Sequence, residues 1–470
     1  MKKLSKFFIV LLMFLCIIVL TGCANNDENL VSLEQAIADL QTNLEEMQYI
    51  IEDTKYEKGQ LEEKIAQLEK QIEELEKKGD SQKTIIYALR DSIQKFQEEI
   101  KAYEEQIKLM EGKIEASRAG IKVQLAEQYT LIVGDNFQLF YRSIVQAPDP
   151  YGYYIKLEGK KGHAYNRYYE FKPEAADAGK TYDLKVSVCD ANGVEYGSDT
   201  TKLVVVSDKV KSNEEKVVLC FGDSLTYNGV WVAQGISKYV KAGGTKVKTI
   251  GSMSKSIGGT TSYYEGNSGW QWSTYITGAN DKATPFAATS SSGIISFKDY
   301  AKKYNVEKID EVYILLTWNG IGGKFREFSF TDSLFSNAKM IVDQFHKDFP
   351  EGKVTLIGIP KPSMNAGLGA YYELNIGYAD NYAQSVTVMH YNQFMEDWAN
   401  SESYKSFLTY IDGMGQFDSE YNMPTEGKPV NNQNTTTEPV GNAMGMHPTN
   451  NGYMQIGDTF FRALMQNNNK

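Results

Sequence analysis

Cysteine and histidine are both scarce in this chain of 470 residues, with four of each. Cys16 and Cys23 lie close to the N-terminus, which leaves Cys189 and Cys220 as the remaining candidates for a disulfide. These two fall in different expected domains, so we expect two buried thiols instead of a disulfide. No spacing suits a structural zinc site, and the sequence indicates neither a metal nor a cofactor.

Basic residues are fewer than acidic residues, 49 compared with 60, and the formal net charge at pH 7 is therefore -11. A negative chain repels a phosphate backbone, so nucleic acid is excluded as the main partner. A length of 470 residues exceeds one ordinary hydrophobic core, and we expect two or three domains. The 31 tyrosines and 21 phenylalanines suit either sugar stacking or ordinary packing.

One long apolar run is present, from Phe7 to Leu20, behind a lysine-rich start. It is short for a membrane-spanning helix, which needs about 20 apolar residues, and is typical of a secretory signal. The run ends in Leu20-Thr21-Gly22-Cys23, which resembles the bacterial lipobox. The resemblance implies a lipoprotein signal peptide over residues 1–22, acylation of Cys23 and a tether over residues 23–32. The protein would then be extracytoplasmic and lipid-anchored to a bacterial membrane. An ordinary signal peptide and a retained anchor helix are the alternatives.

Residues 33–120 carry an apolar seam whose members recur at alternating steps of four and three residues. The seam begins with Leu33, Ile37 and Leu40, and the intervening positions are mostly Glu, Lys and Gln. Such a seam must be buried on another helix, which predicts a coiled coil able to support self-association. The shared register favours one long stalk, whereas Gly79-Asp80-Ser81 leaves an antiparallel hairpin open.

Period-two patterns follow the helical segment. Leu184, Val186 and Val188 alternate with polar residues, and Leu203 to Val206 is a continuous apolar strand. Several short strands in about eighty residues predict an immunoglobulin-like sandwich over residues 126–208. We interpret it as a structural spacer rather than a carbohydrate-binding module.

Strands alternate with helical patterns over residues 214–470. Val217 to Phe221 is a short apolar run, and further runs cover Val312 to Leu316 and Val354 to Ile359. Ser336 to Phe349 between the last two has a helical pattern. This alternation predicts an α/β domain with a parallel sheet covered on both faces. Ser224 follows the first strand, at the sheet edge where chemistry gathers.

Four short blocks in this half resemble the SGNH, or GDSL, hydrolase family, and they occur in the family's order. They are Gly222-Asp223-Ser224-Leu225, Glu265-Gly266-Asn267-Ser268-Gly269-Trp270, Thr317-Trp318-Asn319-Gly320 and Met446-His447-Pro448-Thr449. The resemblance implies a three-layer α/β/α, flavodoxin-like hydrolase domain that acts as a serine esterase. It also implies that Ser224 is the nucleophile and that His447 is its base.

The same resemblance assigns an oxyanion hole to the Ser224 N–H, the Gly266 N–H and the Asn319 side-chain amide, with Gly269 as the alternative glycine. One position departs from the family. The acid that usually lies three residues before the catalytic histidine is replaced by Met444, which indicates a Ser–His dyad. His390 is the rival candidate for the base.

The expected substrates are acyl esters of carbohydrates, O-acetyl esters first, because the second block with Gly269-Trp270 resembles carbohydrate-esterase branches of the family. Two other readings stay open. One is a catalytically weak domain that binds surface glycans, which Met444 favours. The other is a lipase or thioesterase.

Overall fold

The computed structural model describes most of the chain from residue 28 onward, a start that lies within the tether expected over residues 23–32. The described residues are 28–77, 83–118, 121–189, 193, 195–279, 282–289, 295–321, 332–363, 378–441 and 445–469. Cys23 and Met444 lie outside them, so the predictions made on these two residues are not examined by the structure. The chain divides into two compact units, Met1–Ala119 and Gly120–Lys470. Within the described ranges, no helix is long and apolar enough to cross a bilayer.

The first unit consists of two long helices, α1 (Glu28–Glu76) and α2 (Lys83–Arg118), which pack against each other. Lys58 is ion-paired with Glu104 at 2.8 Å, and Arg90 is ion-paired with Glu76 at 2.8 Å. Because later residues of α1 meet earlier residues of α2, the helices are antiparallel. The structure therefore has the hairpin alternative and not the continuous stalk.

The hairpin buries the predicted seam within one chain. Ile51, Leu61, Ile72 and Ile86 are seam residues, and all four are buried. The requirement that the apolar stripe be covered is thus met by the partner helix of the same chain. Self-association through this segment stays a prediction.

The second unit begins with a small β domain made of two larger sheets and a two-stranded pair of its first and fourth strands. Its strands are β1 (Lys122–Val123), β2 (Gln128–Ile132), β3 (Phe137–Phe140), β4 (Val145–Gln146), β5 (Tyr154–Gly159), β6 (His163–Ala164), β7 (Tyr168–Phe171), β8 (Thr181–Cys189) and β9 (Glu195–Val206), with a short helix α3 (Tyr141–Ile144). One sheet has the order β2-β9-β8-β5 and the other the order β3-β7-β6. Residues of both sheets share one core, including Leu131, Phe137 and Val186. The domain starts at β1, before the expected boundary at residue 126.

The half of the chain from residue 214 onward is built on a larger sheet with the strand order β12-β13-β10-β14-β15-β16, and β11 also pairs with β10. The strands are β10 (Lys216–Gly222), β11 (Val247–Ile250), β12 (Met253–Ile257), β13 (Thr260–Gly266), β14 (Glu311–Leu315), β15 (Lys353–Ile357) and β16 (Leu408–Ile411). All pairings are parallel except that of β12 with β13. The predicted parallel sheet is confirmed.

Helices surround this sheet: α4 (Ser224–Tyr227), α5 (Val230–Lys241), α6 (Trp272–Thr277), α7 (Phe297–Lys303), α8 (Trp318–Ile321), α9 (Asp332–Asp348), α10 (Tyr378–Asn400) and α11 (Asn450–Asn469). Successive residues of a strand point to opposite faces, and every residue from Val217 to Phe221 is buried. Both faces of the sheet are therefore covered, which confirms the predicted α/β class. A hairpin of β17 (Thr425–Asn431) and β18 (Asn434–Gly441) lies outside the sheet, and β17 is fully exposed.

The β domain and the α/β domain that follows it belong to one compact unit and share a polar interface. The Tyr129 hydroxyl donates to Asp412 Oδ2 at 2.6 Å, and the Ser143 hydroxyl donates to the Phe417 carbonyl at 2.6 Å. Arg462 in α11 is ion-paired with Asp135 at 2.6 Å. All these bonds involve buried or partly buried groups, so the β domain is fixed against the carboxyl end of β16 and against the last helix.

Candidate active site

Ser224 lies where β10 ends and the short helix α4 begins. Asp223 caps that helix, because its Oδ1 accepts the Leu225 N–H at 3.0 Å. Gly222 is required just before the cap, since a Cβ atom there would collide with the Leu315 carbonyl and with Thr226. The sharp strand-to-helix turn presents the half-buried Ser224 hydroxyl at the carboxyl end of the sheet.

His447 lies in the segment just before α11, and its Nε2 is 2.9 Å from Ser224 Oγ. With Nε2 unprotonated, the Ser224 hydroxyl donates this hydrogen bond. Burial lowers the pKa of His447 below its usual value of 6.5, so the ring is neutral and able to accept a proton at pH 7. The structure therefore brings together the two residues predicted as nucleophile and base.

The rival histidine occupies a different environment. His390 lies within α10, where burial first and Lys122 second lower its pKa to about 4. His346 stacks on the Phe407 ring with centroids 3.7 Å apart, and His163 lies on the exposed strand β6. Of the four histidines, His447 is the one that contacts Ser224.

Asp458 is engaged elsewhere and does not replace the missing acid beside His447. Its Oδ1 accepts from Gln234 Nε2 at 3.0 Å and from Lys238 Nζ at 3.1 Å. Met444, at the position where the resemblance implies an acid, lies outside the described residues. The Ser–His dyad therefore stays a prediction.

Asn319 lies in α8, at the carboxyl end of β14, and is exposed. Its side-chain Nδ2 donates to the Trp270 carbonyl at 2.9 Å, which fixes the plane of the amide. A carboxamide carries two N–H groups, so the second remains for an oxyanion. The contact also joins the third block to the second, since Trp270 closes the latter.

The turn that carries Asn319 is strained at Thr317, which has a φ of 133°. A β-branched residue at this φ is an outlier that the surrounding structure must hold in place. Trp272 Nε1 donates to Thr317 Oγ1 at 2.6 Å, and the Thr317 and Tyr391 hydroxyls are hydrogen-bonded to each other. Two buried aromatic side chains thus brace the turn that presents the amide.

Asp223 connects this turn to the nucleophile. Its Oδ2 accepts the backbone N–H groups of Thr317 at 3.3 Å and Trp318 at 3.2 Å, while Oδ1 caps the Ser224 helix. The carboxyl group is fully buried, and burial raises its pKa from 3.8 to about 6, although these hydrogen bonds act in the opposite direction. One side chain therefore sets the spacing between Ser224 and Asn319.

The two candidate glycines have different surroundings. Gly266 is buried at the end of β13, and a Cβ atom there would lie 2.7 Å from Tyr227 Cα. Gly269 has a φ of 79° and is exposed, with no atom within 4 Å of an added Cβ. Gly266 is thus needed for the close approach of β13 to the nucleophile helix, and Gly269 borders open space. The oxyanion role of Gly266, with Gly269 as the alternative, stays a prediction.

Several supporting residues escaped the sequence prediction. Asp223 was visible as part of its block, but nothing in the sequence showed that it reaches Thr317 and Trp318, about 94 residues away. Tyr391 comes from the middle of α10 and belongs to no block. Such partners have no local sequence signal, because they meet only when the sheet and its helices assemble.

Comparisons with known proteins give structural likenesses of low similarity. No protein-family model and no curated protein matches the chain. A carbohydrate esterase family 3 protein from Talaromyces cellulolyticus is 17% identical, with a TM-score of 0.34, over 54% of this chain and 98% of its own. An acetyl xylan esterase, AlAXEase, is 13% identical, with a TM-score of 0.30, over 53% of this chain and 99% of its own.

An extracellular lipase from Streptomyces rimosus is similar to the same extent, at 13% identity and a TM-score of 0.30, over 52% of this chain and 99% of its own. Likenesses at this level do not transfer an activity. The functional assignment therefore depends on the geometry around Ser224. Within the described residues, no group of three or more metal-ligating side chains is placed to hold a metal ion.

Proposed function

We propose that this protein is an extracytoplasmic serine esterase that hydrolyses acyl esters of carbohydrates, O-acetyl esters above all. The observation that carries the proposal is the 2.9 Å contact between Ser224 Oγ and His447 Nε2, made by a histidine whose pKa is lowered by burial. A serine hydroxyl is a poor nucleophile until a base takes its proton, and here a neutral imidazole lies in position to do so.

The reaction follows from this pair. His447 removes the Ser224 proton while Oγ attacks the ester carbonyl carbon, which gives a tetrahedral intermediate. The bond to the sugar oxygen then breaks, and His447 delivers its proton to that oxygen as the alcohol leaves. Water, deprotonated by His447, attacks the acyl-enzyme in the same way and releases the carboxylic acid and free Ser224.

The negative charge of the intermediate requires fixed donors. Ser224 is the first residue of α4, so its backbone N–H belongs to the unpaired amides of a helix start. The second N–H of the Asn319 amide and the N–H of Gly266 complete the set, with Gly269 as the alternative. Each such donor is worth about 3 to 4 kcal/mol in the transition state.

We propose carbohydrate esters as the substrates because the second block, which ends in Gly269-Trp270, resembles carbohydrate-esterase branches of the SGNH family. The Trp270 ring packs edge-on against Tyr275 at 5.0 Å between centroids, and Lys282 Nζ lies 5.7 Å from it. The block is therefore held rigidly beside Asn319, as substrate discrimination requires.

The deciding experiment removes the nucleophile. Ser224→Ala is expected to abolish hydrolysis of 4-nitrophenyl acetate, because no acyl-enzyme can form. Ser254→Ala, which alters an exposed serine on β12, is the matched control and should retain wild-type activity. Esterase activity that survives Ser224→Ala in clean protein rejects the proposal.

The envelope location is a second part of the proposal. It is supported by the lipobox-like residues that end in Cys23, which would carry the lipid anchor. Cys23→Ser is expected to block processing or to release the protein into soluble fractions. Cell fractionation of the two forms tests this, and normal processing with membrane retention of the variant would contradict it.

A further inference from the structure

The loop that follows β16, residues 412–424, connects the catalytic histidine to the β domain. On one side it contacts the His447 segment, because the Thr449 N–H and hydroxyl both donate to the Asn422 carbonyl, at 2.9 and 3.1 Å. Asn422 Nδ2 donates in turn to Gln455 Oε1 in α11 at 2.7 Å. The loop is thereby fixed two residues beyond His447.

On its other side, Arg167 of the β domain holds the same loop. Its Nη2 donates to Asp418 Oδ1 at 2.7 Å and its Nε donates to Glu420 Oε2 at 2.9 Å. The Tyr151 hydroxyl also donates to Glu420, at 2.7 Å. One planar guanidinium therefore bridges two largely buried carboxylates, which is the arrangement in which arginine is best oriented.

These contacts fix an aromatic ring that nevertheless remains in solvent. Tyr421 lies between Glu420 and Asn422, its backbone N–H donates to Asp418 Oδ1 at 3.1 Å, and it is 55% exposed. The guanidinium carbon of Arg167 lies 4.2 Å from the centre of the Tyr421 ring. An ordered, exposed ring costs little further entropy when a ligand stacks on it.

The position and the charge of the surface patch formed by Tyr421, Arg167, Asp418 and Glu420 limit the kind of ligand that it can bind. Asn422, the residue after Tyr421, binds Thr449 through its carbonyl, so the backbone that carries the ring runs beside the segment of His447. Arg167 and Arg142 lie opposite Asp418 and Glu420, with Arg142 Nε 3.6 Å from Glu420 Oε1. Because the charges are paired, the patch selects neither an anion nor a cation.

We propose that Tyr421, held by Arg167, is a subsite for a neutral glycosyl ring of the acylated substrate. The β domain is then part of the substrate-binding surface as well as a spacer. This inference rests on the proposed esterase function, and it adds the residues that distinguish a sugar ester from a simple one. The apolar face of a pyranose ring would stack on the exposed side of the tyrosine ring.

The test compares a sugar ester with a small ester. In Tyr421→Ala, the ratio of kcat/KM on an O-acetylated xylo-oligosaccharide to kcat/KM on 4-nitrophenyl acetate should fall about tenfold. Tyr421→Phe keeps the ring and should keep the wild-type ratio. Tyr154→Ala removes a tyrosine with the same exposure, 56%, from the edge strand β5 and should also leave the ratio unchanged.

Binding is measured separately from turnover by calorimetry in the Ser224→Ala background. Adding Tyr421→Ala should weaken binding of the acetylated oligosaccharide about tenfold. An unchanged ratio and unchanged binding would overturn the subsite. A selective loss on 4-nitrophenyl octanoate would also overturn it, because the ring would then serve an acyl chain.

The outcomes separate this inference from the proposed function. If wild-type protein hydrolyses neither substrate, the esterase proposal fails, and the subsite fails with it. If wild-type protein hydrolyses 4-nitrophenyl acetate through Ser224 but neither binds nor hydrolyses the oligosaccharide, the esterase proposal stands and the glycosyl subsite is rejected.

Discussion

Asp223→Asn is the substitution that most directly tests how the site is held together. In the wild-type protein, the two carboxylate oxygens accept three backbone N–H groups, from Leu225, Thr317 and Trp318. Asparagine has nearly the same shape but offers one acceptor oxygen. Its NH2 group must therefore face at least one buried N–H, and the Leu225 side is the cheaper place for it because only one bond is lost there.

Two opposing effects determine the stability of this variant. A buried N–H without an acceptor costs about 1 to 3 kcal/mol. Against this, asparagine removes a buried charge whose cost is visible in the raised pKa of Asp223, about 6 compared with 3.8. At 1.36 kcal/mol per pKa unit, that relief is about 3 kcal/mol at pH 7. The two nearly cancel, so the variant should fold with a stability within about 2 kcal/mol of wild type at pH 7.5.

The pH dependence of the free energy of unfolding gives a more precise prediction. A carboxyl group whose pKa is raised in the folded protein contributes stability below its unfolded pKa, and this contribution is lost as the pH rises through the folded value. For Asp223 the window runs from 3.8 to about 6. The free energy of unfolding of wild type relative to Asp223→Asn should therefore be about 2 to 3 kcal/mol larger at pH 4 than at pH 7.5.

Urea unfolding at the two pH values, followed by circular dichroism, measures this difference. Activity should respond more strongly than stability, because the lost bond to the Leu225 N–H releases the start of the helix that carries Ser224. We expect kcat on 4-nitrophenyl acetate to fall by about tenfold to a hundredfold, less than for complete loss of an oxyanion donor. A stability difference that is the same at both pH values would refute the assigned pKa, and unchanged kcat would refute the positioning role.

Two further predictions concern the residues that carry the reaction. The acid limb of kcat/KM should have an apparent pKa below 6.5, because burial lowers the pKa of His447 and only the neutral ring accepts the Ser224 proton. Recording the profile also in Asp223→Asn removes the contribution of that carboxyl, and a limb at or above pH 6.5 in both proteins would contradict the assignment. Asn319→Ala should lower kcat by about 10²–10³ with the thermal unfolding curve unchanged, since the side chain is exposed and its one described bond is to the Trp270 carbonyl. A loss of less than tenfold would remove Asn319 from the oxyanion hole.

The elements predictable from the sequence were those with a local signal. The run from Val217 to Phe221 had the continuous apolar character of a buried parallel strand, and the structure has β10 there. Ser224 and His447 were found through their flanking blocks, although 223 residues separate them, and the structure places them in contact. Here motif and geometry agree because the blocks lie at the ends of strands or before a helix.

The helical segment shows where local patterns stop being sufficient. The seam predicted two buried helical faces, but continuous register is equally compatible with a stalk and with a hairpin. The choice depends on which residues meet at the ends of the helices, such as Lys58 with Glu104. A repeat of apolar residues carries no information about such pairings. The prediction of one continuous stalk is therefore wrong.

Sequence motifs also could not predict the packing around the two candidate glycines or the contacts that the β domain makes with the rest of the second unit. Gly266 and Gly269 differ in their surroundings, and a motif has no means of showing that Gly266 packs on Tyr227. Arg167 and Asp418 are 251 residues apart and belong to segments without a shared pattern. A spacer was therefore expected where the structure has a domain that contacts the loop beside His447.

The ion pair between Asp135 and Arg462 has a consequence for how the chain matures. The two residues are separated by 327 positions. The β domain is synthesised before α11, so its interface with α11 forms only after the intervening segment has been made. Contacts of this sequence separation form slowly, because a long loop must close first. Helix α11 thus completes the surroundings of the β domain, so a chain truncated before Arg462 would leave Asp135 without its guanidinium partner and α5 without its neighbour.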